Sequence, residues 1–164
     1  MAYQLLWAPW RLRYVQGDRT EKECIFCAAA RPGDDAARLV LLRGERCFAM
    51  LNRYPYNSGH LMVSPYRHVA SIEDLDSDEA LELMTMTQRA LRALRAAYQP
   101  AGANLGVNEG EIAGAGFAGH VHLHVVPRWA ADSNFMAVVG DTRVLPQALE
   151  DSYATLRERL AQPS

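Results

Sequence analysis

Apolar positions along this chain recur with two different periods, and the switch between them outlines the architecture. Short apolar runs at Leu39-Val40-Leu41-Leu42, at Cys47-Phe48-Ala49-Met50-Leu51 and at His60-Leu61-Met62-Val63-Ser64 predict three strands. Tyr54-Pro55-Tyr56-Asn57-Ser58-Gly59 supplies the turn between the last two, and the polar stretch 28–37, turning at Pro32-Gly33, precedes the first. Over residues 77–98 the period lengthens. Leu81, Met84, Leu91, Leu94 and Tyr98 fall at helical spacing, Ser77 reads as the N-cap, and Pro100 follows the end. Met84 and Met86 read as core filler. Asn104–Asn108 returns to strand, and Pro146–Leu160 predicts a C-terminal helix with Leu149, Tyr153, Leu156 and Leu160 on one side. Strands grouped apart from helices imply an α+β fold with an antiparallel sheet, one long helix and a C-terminal helix.

The most informative segment is Gly119-His120-Val121-His122-Leu123-His124-Val125-Val126-Pro127-Arg128-Trp129. In an extended strand, alternate side chains take opposite faces. His120, His122 and His124 therefore share one face, neighbours about 7 Å apart, while Val121, Leu123 and Val125 can enter a core. Imidazole titrates near neutrality and serves as nucleophile, base or metal ligand. Packing alone does not call for three of them in line. The loop just before, Asn108 to Gly119, contains four glycines between Gly110 and Gly119, which suit converging backbone N–H groups and hence phosphate.

Composition narrows the function classes. At 164 residues, 49% apolar and 22% charged, the chain suits a single domain, 1–164, with an aromatic arm over 1–21 and a C-terminal extension over 130–164. A formal net charge of -2 with no Lys/Arg run argues against DNA or long RNA as partner. No apolar stretch approaches the roughly 18 residues of a membrane span, and the N-terminus does not read as a signal peptide. Three cysteines do not make a disulfide framework, so a cytoplasmic location is expected. Cys47, in an apolar strand, reads as an inert core thiol, whereas Cys24-Ile25-Phe26-Cys27 reads as either a redox pair or half of a zinc site.

His120-Val-His122-Leu-His124-Val-Val resembles the signature of the histidine triad (HIT) superfamily, in which histidines alternate with apolar residues. Phe48–Pro55 followed by Gly59–Pro65 is similar to the family's nucleoside-binding segment, and the likeness runs over roughly residues 22 to 129. The resemblance implies a nucleotide-binding enzyme that cleaves at an α-phosphorus through a nucleotidyl-histidine intermediate. His122 would be the nucleophile and His124 a phosphate contact. Asn52 would hold the ribose, Asn108 the phosphate, and Phe48 and Met50 would line the base pocket. Gly116 stands where many members carry a Gln, Ser or Thr that contacts phosphate. For His60, a structural role and a ligand contact both remain open.

The zinc-bearing members resemble this chain further: Cys24, Cys27, His68 and His120 match their structural Zn2+ ligands, which leave no open position. Trp7-Ala-Pro-Trp10-Arg11 and Pro127-Arg128-Trp129, with Asp132-Ser133-Asn134-Phe135 beyond, resemble the branch that includes bacterial dinucleoside tetraphosphate phosphorylases. The same aromatic residues would equally serve a dimer surface, and Arg128 could either reach a distal phosphate or remain a solvated charge. The implied substrate is a dinucleoside polyphosphate, with Mg2+ accompanying it, and the implied assembly is a homodimer. A nucleoside phosphoramidate substrate, or a nucleotide-binding regulatory protein with vestigial turnover, is the competing reading.

Overall fold

In the computed structural model, residues 23–130, 132 and 147–161 are described. The aromatic arm with Trp7 and Trp10, and Ser133-Asn134-Phe135, lie outside them. Five strands form one antiparallel sheet in the order β1-β2-β3-β5-β4: β1 Val40–Arg43, β2 Cys47–Leu51, β3 Leu61–Pro65, β4 Gly102–Val107 and β5 Leu123–Arg128. A six-residue helix α1, Ile25–Ala30, precedes the sheet; α2, Ser77–Tyr98, separates β3 from β4; and α3, Leu149–Ala161, closes the described chain.

The period of two sorts each strand into two faces. Leu41, Cys47, Ala49, Leu51, Leu61, Val63, Leu123 and Val125 pack against α2 and α3. Val40, Phe48, Met50 and Met62 project the other way and meet Phe26 and Ala29 of α1. α1 is thus the only described helix on the face that carries the histidines. Its last carbonyls are held by β1, where the Arg43 guanidinium donates to Ala29 O (2.8 Å), Ala30 O (3.0 Å) and Arg31 O (3.1 Å).

Helix α2 departs from the expected register in two ways. Asp76, not Ser77, is the N-cap. Asp76 Oδ1 accepts from Glu79 N (2.8 Å) and Glu79 Oε2 accepts from Asp76 N (3.0 Å), a reciprocal box that Ser77, with Ala80 three residues on, could not complete. The buried stripe is Leu83, Met86, Thr87, Ala90, Ala93 and Leu94, whereas Leu81 and Met84 are exposed. Of the expected positions, Leu94 and Met86 are buried and Leu91 and Tyr98 pack partly buried against the core, so only Leu81 and Met84, toward the start of the helix, fall outside it.

The histidine segment also differs. The ladder begins at Leu123, since β3 ends at Pro65, which has no N–H to offer the facing chain. Residues 120–122 are pinned instead by Val121 N to Val69 O (2.7 Å) and Ser64 Oγ to Val121 O (2.9 Å). β4 begins at Gly102 and is an exposed edge strand. The opposite edge is covered: Tyr153 Oη donates to Val40 O (3.1 Å) and Arg157 to Leu41 O, both from α3.

Candidate functional site

The three histidines line up on the α1 face as the alternation predicts, and each has its tautomer set by a neighbour. His122 Nδ1 lies 2.8 Å from the His120 carbonyl oxygen. A carbonyl only accepts, so Nδ1 carries the proton and Nε2 keeps its lone pair. His120 Nε2 is 3.0 Å from Pro65 O, so that nitrogen donates and Nδ1 holds the lone pair. Tyr56 N donates to His60 Nδ1 (3.1 Å), which leaves His60 Nε2–H to donate to His124 Nδ1 (3.0 Å). His124 then presents Nε2–H as a donor. Burial is the main reason that His120, His122 and His124 all titrate below the usual histidine range, His124 at about 4. The triad is therefore neutral near pH 7.

His122 is 4% exposed and sits between two rings: Phe26 stacks on it (centroids 4.5 Å, 28°) and His124 meets it edge-on (4.8 Å, 72°). Beyond His124 opens a cavity of about 330 Å³ lined by Asn57, Asn104, Asn108, His124, Arg128 and Asp132. A larger cavity, about 710 Å³ between Tyr98 and Trp129, contains no triad residue. Arg128 is not a loose charge. It donates to Asp132 through Nε (2.5 Å) and Nη2 (3.0 Å) and to Asn104 Oδ1 through Nη1 (2.8 Å), while Asn57 Nδ2 donates to the same carboxylate (2.9 Å). This bond from Arg128 holds the Asp132 carboxyl below the usual range.

The other expected contacts divide. Asn108 reaches the triad cavity. Asn52 directly follows β2, its side-chain oxygen accepting from Tyr54 N (2.9 Å), which leaves the amide nitrogen to meet a hydroxyl. Met50 is 7% exposed, whereas Phe48 is fully buried and stacks on Tyr66, so it would support a base slot from beneath rather than line its open face. The glycine loop adopts left-handed backbone at Gly110 (φ 76) and Gly114 (φ 88), and Glu109 ties it to Ile72 N (2.6 Å). Two amides expected to converge on an anion are spent within the loop: Gly114 N on Glu111 O and Ala115 N on Gly110 O. Gly116 is exposed.

The ligand atoms of Cys24, Cys27, His68 and His120 lie within 4.8 Å of one another. Cys24 Sγ to His120 Nδ1 is 3.4 Å, Cys27 Sγ to His120 Nδ1 3.7 Å and Cys27 Sγ to His68 Nδ1 3.1 Å. A tetrahedral zinc with bonds of about 2.0–2.3 Å needs ligand–ligand edges of roughly 3.3–3.8 Å. The His120 lone pair faces this cluster because its other nitrogen is committed to Pro65. Both Cys-to-His120 distances fall in that range, and two thiols with two imidazoles are the donor set of a closed zinc site. Burial pushes the Cys24 thiol up to about 11, and only a cation would bring it to the thiolate.

The HIT domain family matches residues 35–131 of this sequence. The chain belongs to the HIT domain family. Among the relatives it resembles, the AP-4-A phosphorylase of Mycobacterium tuberculosis is 42% identical over 97% of this chain and 85% of its own length. The asymmetrical bis(5'-nucleosyl)-tetraphosphatase of Schizosaccharomyces pombe is 31% identical over 57% of this chain and 50% of its own. A Zn-bound histidine triad family protein from Mycobacterium smegmatis has a similar solved structure, with a TM-score of 0.66 and 27% identity over 85% of this chain and 94% of that one.

Two features of this HIT domain were not foreseen from sequence: the Phe26 ring on His122, and His124 as the partner of His60, whose role the sequence left open. Both come from distant segments, so no local pattern signals them. The one sequence hint is that Phe26 lies inside Cys24-Ile25-Phe26-Cys27.

Proposed function

We propose that the protein transfers nucleotidyl groups from dinucleoside polyphosphates such as diadenosine tetraphosphate, with His122 as the nucleophile at the α-phosphorus. The observation that carries this reading is the 2.8 Å bond from His122 Nδ1–H to its neighbour's carbonyl, which leaves a buried, neutral imidazole with its Nε2 lone pair unprotonated. The Nε2 pair forms the N–P bond while the bridging P–O bond breaks, its electrons leaving on the polyphosphate oxygen. His124 Nε2–H and the Asn108 amide would donate to the phosphate oxygens, and His120 orients the nucleophile through its carbonyl. Asn52 would hold the ribose and Met50, backed by Phe48, the base. The loop backbone at Gly116 would stand in for the missing side-chain donor.

Inorganic phosphate as the second acceptor is supported by the likeness to the phosphorylase from M. tuberculosis. Zn2+ held by Cys24, Cys27, His68 and His120 would supply structural cross-linking between α1 and the triad segment. Mg2+ would arrive on the polyphosphate itself, whose oxygens suit it. The exposed β4 edge, with Leu105 on its surface, supports a homodimer. We read the whole chain, 1–164, as one HIT domain with flanking extensions. A cytoplasmic location is consistent with free thiols and with the lack, among the described residues, of a helix able to cross a membrane.

Product analysis tests the reading. With diadenosine tetraphosphate and phosphate the expected products are ATP and ADP, and none should form with His122→Ala. ATP plus AMP without phosphate would move the acceptor to water. Turnover of nucleoside phosphoramidates alone would move the substrate class, and undiminished turnover in His122→Ala would overturn the assignment of the nucleophile.

A further inference from the structure

The two cysteines of Cys24-Ile25-Phe26-Cys27 turn toward His120 and His68, and Ile25 is exposed. Phe26, between them, turns inward. It is 1% exposed, its ring centroid lies 4.5 Å from that of His122 at 28°, and 5.2 Å from that of His120. Phe117 fixes it from the side at 6.4 Å and 72°. If filling the core were its only task, a leucine would serve. A stacked arene does something more: its face is the negative end of a quadrupole, which attracts a neighbouring cation far more than a neutral ring.

His122 becomes such a cation if it reacts as proposed above, on which this inference rests. Its Nδ1 already bears the proton given to the His120 carbonyl. When Nε2 bonds phosphorus, both nitrogens are substituted and the ring carries a positive charge at a site only 4% exposed. A ring so little exposed is poorly solvated, and a buried charge is costly. The groups facing the ring are the His120 carbonyl on one edge, His124 on another and the Phe26 face above. We propose that Phe26 is a positioning residue for the nucleophile, its ring face stabilising the nucleotidyl-imidazolium that His122 forms. The Cys-x-x-Cys turn thereby has a second task, setting the aromatic face on the reacting imidazole.

In the following step an oxygen of the acceptor phosphate attacks phosphorus. The N–P bond then breaks, its electron pair returns to Nε2, and the ring is neutral again. Phe26 acts only on the charged interval between the two displacements.

The test replaces Phe26 with 4-fluoro-, 3,5-difluoro- and 3,4,5-trifluorophenylalanine in the full-length, metal-loaded protein. The series withdraws electron density from the ring face at nearly constant shape. The expected result is a stepwise fall in the single-turnover rate of ATP release from diadenosine tetraphosphate, reaching roughly 3- to 30-fold across the series. KM, bound zinc and thermal midpoint should stay level, and Phe26→Leu should show a kinetic loss of similar size. A flat series would overturn the role given to the ring face. Separately, a substrate made chiral by sulfur at the α-phosphorus should give sulfur-bearing ADP with retained configuration. Inversion would mean a single direct displacement and would overturn the covalent reading of His122 itself, whatever the fluorine series shows.

Discussion

His60 Nε2 lies 3.0 Å from His124 Nδ1, and the Tyr56 backbone N–H donates to the other nitrogen of His60. Because that backbone amide can only donate, the protons along the chain Tyr56–His60–His124 can be arranged in one way only, and His124 is left with its donor on Nε2. His60 itself is fully buried. His60→Phe keeps an aromatic ring and removes the donor, so His124 is freed to place its proton on either nitrogen. The expected outcome is a kcat about 10- to 100-fold lower with KM little changed, the cost of misorienting the phosphate contact proposed for His124. Steady-state kinetics on a folded variant check this; an unchanged kcat would reduce His60 to a core residue.

The Cys24–Cys27–His68–His120 cluster ties α1 to the segment just before β5, two parts of the chain separated by more than 90 residues. Chelation of the zinc proposed for this cluster should therefore destabilise the fold as well as slow the reaction. A loss of about 3 kcal/mol is a modest share of what structural zinc contributes to small sites. For a chain of this length it corresponds to roughly 6–12 °C in Tm. Calorimetry before and after chelation, with Cys27→Ser in parallel, measures it. A Tm unmoved by chelation would rule out the structural role.

Arg67, the residue before the candidate ligand His68, donates through Nε and Nη2 to Glu79 (2.6 Å each) and through Nη2 to Asp74 O (2.7 Å). Glu79 is 3% exposed, and the Arg67 guanidinium beside it holds its carboxyl below the usual range. Arg67→Ala leaves a buried carboxylate short of a partner and should lower the midpoint of chemical denaturation. A carboxyl depressed in the native state contributes stability that is complete above its ordinary value near 4.5 and is lost as pH falls below it. The difference between wild type and variant should shrink at acid pH accordingly.

His124 makes the opposite demand on protons. Burial, and then the nearness of His122, hold it at about 4 against 6.5 for an ordinary histidine. Between these values the unfolded chain takes up a proton that the native site refuses, so stability falls as pH drops from 6.5 toward 4. Replacing His124 by Gln should flatten the slope of denaturation midpoint against pH over that window. An identical slope in both proteins would mean that His124 is not the group held neutral.

The sequence by itself determined most of the strand and helix content and the nature of the chemistry. An apolar run at Leu61–Val63, alternation over His120–Val125 and a longer period over 77–98 are local properties, read without knowing what packs on what. The triad was legible for the same reason, since alternation alone puts its rings on one side. Tertiary structure decided what depends on partners far along the chain. Leu81, Met84 and Leu94 share one helical spacing on α2, and only contact with the sheet decided that Leu94, with Leu83 and Ala90, is buried while Leu81 and Met84 are exposed. The start of the β5 ladder was set by the absence of an N–H on Pro65, a residue of another strand. The tautomers of His120, His122 and His124, and the ring stacked on His122, follow from the Pro65 and His120 carbonyls, the Tyr56 amide and Phe26. Hydrogen bonds and ring contacts of this kind act over a few ångströms of space, and the spacing of residues along a chain does not encode which distant groups will come that close.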